Sequence, residues 1–348
     1  MSWLDNKVAV ISEQGITAGS ERQLQLTKPP GSLGVLENIA VKFSAIQNTQ
    51  QPRIDNVHIT IFAADHGIAN EGVSAFPQVV TTEMVKNFAC GGAAISVLAK
   101  ENNAQLEVVD LGTVVDAGEL MGVISQRIAA GTANFSQQAA MTEEQLTQAL
   151  DAGKNAVQRA LDNDAQIYIG GDMGIANTTS ATALASAYLN KSPSELAGAG
   201  TGLDEKGISH KAEVIDKALK KHQASLLSPS EILRFFGGFE IAALTGAYIY
   251  AAQQGLPVII DGFIATAAAL AAVKIKAGCE CWFIYAHQSH EQGHRLILES
   301  LHAEPLVNLN MRLGEGSGAA IVIPLLRQAC ALHSNMATFA EAGVSTGE

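Results

Sequence analysis

Short apolar runs alternate along the chain with longer stretches in which apolar residues recur every three to four positions. Val57-His58-Ile59-Thr60-Ile61-Phe62-Ala63 predicts a buried strand that ends at Asp65-His66-Gly67. Residues 105–110, 166–169, 257–260 and 281–285 predict four more strands. The third runs into Gly170-Gly171, the fourth into Asp261-Gly262 and the fifth into His287-Gln288-Ser289. A helical pattern follows each run, so the expected class is α/β with parallel β-α-β units. Helix starts are legible too. Thr142-Glu143-Glu144-Gln145 has the capping-box form ahead of Leu146, Leu150 and Val157, and Ser228-Pro229-Ser230-Glu231 repeats it with proline at the first helical position. The polar, helical start of the chain contains a loop at Lys28-Pro29-Pro30-Gly31-Ser32-Leu33-Gly34. It predicts a small helical domain, residues 1–38 joined by 329–348, beside a main domain over 39–328. No repeat, low-complexity segment or flexible linker interrupts this plan.

Bulk properties narrow the picture. The chain has 348 residues, 47% hydrophobic and only 5% aromatic, enough for one large domain or two ordinary ones. Its net charge of −12 repels a phosphate backbone, which argues against general nucleic-acid binding. A small anion remains compatible, because local amides and one or two cations hold a phosphate well. Cys279 and Cys281 are too close for a CxxC pair, so with Cys90 and Cys330 they are expected as reduced, largely buried thiols. The opening Met-Ser-Trp-Leu-Asp-Asn-Lys has no apolar signal core, and the alanine-rich stretch 264–273 is short and followed by Lys274 and Lys276. The expected location is cytoplasmic.

The candidate chemistry sits where the predicted strands end, which is where open parallel sheets bind ligands. In Arg312-Leu313-Gly314-Glu315-Gly316-Ser317 one carboxylate stands between two glycines. That placement suits a backbone that approaches a ligand while aiming an acid at it. Glu315 is therefore the first candidate base; the bland alternative is a helix N-terminal Glu stabilised by the dipole. Asp172, in Gly170-Gly171-Asp172-Met173-Gly174, reads equally as a second catalytic carboxylate or as a cap for a helix starting near Asn177. Gly174 to Thr179 offers amides and hydroxyls, Asn177 and Thr178 among them, that suit a phosphate. Gly198-Ala199-Gly200-Thr201-Gly202, with Lys211 shortly after it, offers the same. Ser289 supplies a hydroxyl at the fifth strand end, and Arg312 is placed to contact an anion or to hold the Glu315 loop. His290-Glu291-Gln292-Gly293-His294 matches HExxH formally, but Gly293 weakens the helix and no third zinc ligand follows. Asp65-His66 reads as a structural turn whose Asp binds nearby amides. No GxGxxG, Walker A or GxSxG pattern occurs.

Six segments together carry a family resemblance: KPPGSLGVLE (28–37), ADHGIANEGVSAFPQVVT (64–81), GGDMGIANTT (170–179), RFFGGFE (234–240), PVIIDGF (257–263) and MRLGEGSGAA (311–320). They span nearly the whole chain in a consistent order. The chain resembles the nicotinate-nucleotide–dimethylbenzimidazole phosphoribosyltransferases, which make the lower-ligand nucleotide of cobalamin. The resemblance implies a Rossmann-like parallel sheet flanked by helices, a small domain from both chain ends, a homodimer, and no cofactor or metal. It implies transfer of phosphoribose from nicotinate mononucleotide to 5,6-dimethylbenzimidazole. By position it makes Glu315 the catalytic base. It places Gly174, Asn177, Thr178, Gly202, Lys211, Ser289, Arg312 and Gly314 at the nucleotide and its phosphate. It places Phe76, Met84 and Leu313 at the aromatic base. Asp172 departs from the pattern, because the family often has Glu there and this side chain is one methylene shorter.

Overall fold

The computed structural model describes residues 2–345. Six strands form one sheet, every neighbouring pair parallel: β1 Val57–Ala64, β2 Gln105–Gly112, β3 Val123–Ser125, β4 Ile167–Met173, β5 Val258–Ile260 and β6 Phe283–Tyr285. Their order is β3-β2-β1-β4-β5-β6. The chain winds outward from β1 one way and from β4 the other, so the strand order reverses between β1 and β4. A doubly wound sheet opens a crevice at that point, outside the carboxyl ends of the strands.

Period-two side-chain alternation explains how apolar runs this short build two cores. Ile59, Ile61, Ile167, Ile169, Ile259 and Ile284 face one layer, with Phe43 and Leu326 from the terminal helices. Phe62, Tyr168, Val258, Ile260 and Phe283 face the other, against helices Glu143–Asp162 and Phe239–Gln254. All eight residues of β1 are buried. The capping box at Thr142 is fully formed with Gln145, and the Ser228 hydroxyl accepts from the Glu231 amide.

The terminal helices meet. Helix Glu13–Gln25 lies on Val35–Gln47, which in turn lies on Ile323–Asn335. Arg22 donates to the carbonyls of His333 and Ser334, and Leu26 bridges Thr338. Helix Val35–Gln47 runs through residue 38 and Ile323–Asn335 through residue 328, so both helices belong to the sheet's cover as well as to the terminal cluster.

Three sequence expectations are corrected. No helix follows β2; residues 113–122 loop over to β3, a short strand the sequence did not announce because three residues, none of them buried, carry too little pattern. The third strand does not stop at Ile169 but runs on through the two glycines to Met173, which puts Asp172 in the sheet itself. The cysteines are not all sheltered: Cys279 and Cys330 are buried, Cys90 and Cys281 exposed. No helix among the described residues is long and apolar enough to cross a membrane.

Candidate active site

A cavity of about 280 Å³ opens beyond the carboxyl ends of β4, β5 and β6. Ten of the residues singled out in the sequence line it: Phe76, Asp172, Gly174, Asn177, Thr178, Ser289, Arg312, Leu313, Gly314 and Glu315. They come from four separate stretches of chain, and the parallel sheet brings them to one edge.

Glu315 sits in an unusual turn. Gly314, Glu315 and Gly316 have φ of 84°, 64° and 80°, three left-handed residues in succession. That conformation is easy for glycine and strained for glutamate, and strain of this kind persists only where surrounding contacts impose it. The contacts are specific. The Ser317 hydroxyl donates to the Gly314 carbonyl at 2.7 Å. Asp261, at the end of β5, accepts from the Gly316 amide at 3.2 Å and from the Ala319 amide at 2.8 Å. Gly171 of β4 lies so close below that an added Cβ would stand 2.5 Å from the Glu315 carbonyl oxygen.

The Glu315 side chain is 6% exposed, and its Oε2 is buried with no partner. Burial pushes its carboxyl up to about 7, with Asp261 adding to the rise and the Ile95 amide opposing it. Ile95 lies in the first turn of helix Ala94–Glu101, whose N-cap, Ala93, has no side-chain acceptor to offer. A carboxylate whose affinity for protons matches neutral pH, with one free oxygen at a cavity, can take a proton from a ligand.

Asp172 is 4% exposed and accepts from the Asn177 side-chain amide at 3.0 Å. Helix Asn177–Leu189 has Ala176 at its N-cap position with no side-chain cap, so Asp172 holds the Asn177 side chain rather than capping the backbone. Burial first, then Asp261 and Glu240, drive its carboxyl well above the ordinary range. Below the floor, His66 is paired to Glu240 at 2.6 Å and to the Ser180 hydroxyl at 2.9 Å. Asp65 accepts from Thr81 and from the Val114 amide, the structural turn expected of it.

Three predicted residues lie off the cavity lining. Lys211 is buried; its Nζ donates to Thr178 Oγ1 and to the Gly198 carbonyl, each at 3.2 Å. It supports the glycine loop from behind, and burial lowers its ammonium to about 8 while Glu291 pulls the other way. Gly202 is exposed, its amide donating to the Ala199 carbonyl. Met84 faces the core from helix Val79–Ala89. Arg312 donates to the Gly200 carbonyl at 3.1 Å, tying the glycine loop to the Glu315 loop.

The HExxH match dissolves in the structure. Helix Gln292–Ser300 starts after His290 and Glu291, so the two histidines do not share a helix face. Both nitrogens of His294 are engaged, by the Ser289 amide and the Thr266 hydroxyl, and burial lowers its pKa to about 3. It organises the Ser289 loop.

Sequence reasoning singled out the glycine loop that supplies Gly200 and Thr201 to the lining, met Glu291 only within the HExxH match, and gave no role to Asp261, His287 or Met173, which also line the cavity. Asp261 directly follows the fourth predicted strand and His287 stands two residues beyond the fifth, so the strand-end rule that found Asp172 was sufficient to find them.

Comparison with known proteins agrees with this geometry. A phosphoribosyltransferase family model matches residues 8–344. The nicotinate-nucleotide–dimethylbenzimidazole phosphoribosyltransferase of Xanthomonas oryzae pv. oryzae is 57% identical over 99% of this chain and 98% of its own. The enzyme of the same name from Pseudomonas putida is 53% identical over 99% and 98%. A crystal structure of the enzyme from Thermus thermophilus superposes with a TM-score of 0.91 at 40% identity, covering 97% of this chain and all of its own. The chain belongs to the nicotinate-nucleotide–dimethylbenzimidazole phosphoribosyltransferase family.

Proposed function

We propose that this chain transfers the phosphoribosyl group of nicotinate mononucleotide to 5,6-dimethylbenzimidazole. The products are α-ribazole 5′-phosphate, the nucleotide of the cobalamin lower ligand, and nicotinate. The leaving group is a pyridinium on C1′ of the ribose. It departs with the bonding pair, which neutralises its ring, so it requires no general acid. One azole nitrogen attacks C1′, and the N–H of the other becomes acidic as that bond forms. Glu315 takes that proton, help typically worth about 10²–10⁴ in rate. The buried acids around it suit a substrate whose reacting centre is cationic. Asp172, Asp261 and Glu315 all line the cavity, and no ion pair to lysine or arginine neutralises any of them among the described residues.

Gly174, Asn177, Thr178, Ser289, Arg312 and Gly314 take the nucleotide and its phosphate in this reading, with Lys211 acting through Thr178 and the glycine loop. Phe76 and Leu313, both more than half exposed at the rim, take the aromatic base. An apolar rim left open in one subunit fits a homodimer in which the second copy covers it. The terminal helices form the small domain.

The observation that carries the reading is the free oxygen of Glu315, buried at the cavity with a pKa near neutrality. The test is an acceptor panel with nicotinate release as the readout. Nicotinate mononucleotide with dimethylbenzimidazole should release nicotinate and form the α-linked nucleotide. Release only with adenine or a phenol would move the acceptor assignment, and binding of the nucleotide without any release would reduce the protein to a carrier.

A further inference from the structure

We infer that Asp261 is a positioning residue for Glu315: its two carboxylate oxygens clamp the turn that carries the base. The inference rests on Glu315 being the base. Asp261 stands at the end of β5, 1% exposed, and each oxygen has its own donor. Oδ2 accepts from the Gly316 amide at 3.2 Å and Oδ1 from the Ala319 amide at 2.8 Å. The first bond fixes the residue after Glu315, and the second fixes the start of the chain's exit from the turn. Gly316 carries no side chain that would cap this segment, so the sheet supplies the acceptor instead. His287 Nε2, from beyond β6, lies 3.8 Å from Oδ1 and closes the third side.

Three left-handed residues in a row relax when released. The amide bonds to Asp261 are what the strand contributes to holding them, and an acid in the cavity wall also acts on the base through its charge. The charged or polar groups that face Glu315 are Asp172 from β4, Asp261 from β5, and the Ile95 amide from helix Ala94–Glu101. Of these Asp261 alone both fixes the turn and raises the proton affinity of Glu315.

Asp261→Asn is the informative change, because it keeps the shape and turns one acceptor into an NH₂ that faces a backbone N–H. Asp261→Asn and Glu315→Gln are compared in parallel for kcat, nucleotide KM and the pH profile of nicotinate release. The expected result for Asp261→Asn is a kcat lower by about 10- to 100-fold with KM within about threefold. Its acid limb moves down by about one pH unit, because the base loses a negative neighbour. A drop in kcat with the limb unmoved marks a merely structural residue and overturns the inference, as does a kcat within twofold of wild type. Glu315→Gln separates the two readings: persistence of the acid limb in that variant removes the base itself, whatever Asp261 does. Asp261→Ala with added formate is the second arm. Formate restores both acceptors and should raise kcat at least about tenfold; its failure to do so also overturns the inference.

Discussion

Gly171→Ala tests the geometry of the base without touching any polar group. Gly171 is the fifth residue of β4, paired with Ile61 of β1. A Cβ there would meet Ile61 Cδ1 at 2.4 Å, the Glu315 oxygen at 2.5 Å and the Glu315 carbonyl carbon at 2.7 Å. The Ile61 methyl is the end of a flexible side chain and can rotate away. The Glu315 backbone has no such freedom, because Asp261 and Ser317 hold the turn on both sides. Ordinary van der Waals contact begins at 3.4 Å, so the turn must lift by about 0.9 Å. A displacement of about 1 Å at a reacting group is worth about 10²-fold in rate. Overpacking of a tight core adds a destabilisation of about 1–3 kcal/mol. The assay is nicotinate release at saturating concentrations of both substrates, with nucleotide affinity measured by calorimetry and Tm by scanning calorimetry. The expected pattern is kcat down about 100-fold, affinity nearly unchanged and Tm lower by a few degrees. A variant with the expected Tm loss but kcat within twofold of wild type refutes the claim that the position of this turn sets the rate.

The other predictions concern charge. The acid limb of kcat/KM should fall near pH 7, with activity dropping about tenfold per unit below it, since Glu315 must be ionised to accept a proton. The same group links to stability: its folded value of about 7 exceeds the ordinary 4.5, so it destabilises increasingly as pH rises through that window. Glu315→Gln should therefore melt higher than wild type at pH 8 and equally at pH 4, a difference that scanning calorimetry reads directly. Lys211→Met should raise the nucleotide KM by about tenfold or more with a smaller effect on kcat, because the Gly198 carbonyl and Thr178 lose their common anchor. His290→Ala should be near neutral and His294→Ala should lower stability by about 1–3 kcal/mol, since the buried Ser289 amide and Thr266 hydroxyl lose their partner. Loss of activity on chelation together with a dead His290→Ala would instead revive a zinc site.

Much of this architecture was legible because a parallel strand buried on both sides must be apolar throughout, and its end is marked by the first polar residue. That rule gave β1, β2, β4, β5 and β6 and led to Asp172 and Ser289, whereas Glu315 was marked by the glycines on either side of it. It failed where the signal is not local. The glycines at 170 and 171 read as a loop, yet they stay in the strand because the Glu315 turn leaves no room for a side chain at 171. Asp261 looked like a strand terminator, and its grip on residues more than fifty positions away has no trace in its own neighbourhood. The His290–His294 spacing read as a helix face until the helix proved to begin at Gln292. Lys211 was found by its nearness to a glycine loop, but only the fold shows that it works from behind that loop.

The central claim is that the carboxylate of Glu315 removes the azole proton as the sugar is captured. Single-turnover nicotinate release by Glu315→Gln, with nucleotide and dimethylbenzimidazole affinities measured on the same preparation, tests it most directly. The account predicts affinities within about threefold of wild type and a rate reduced by about 10²–10⁴. A rate within twofold of wild type, with both ligands bound, would contradict it.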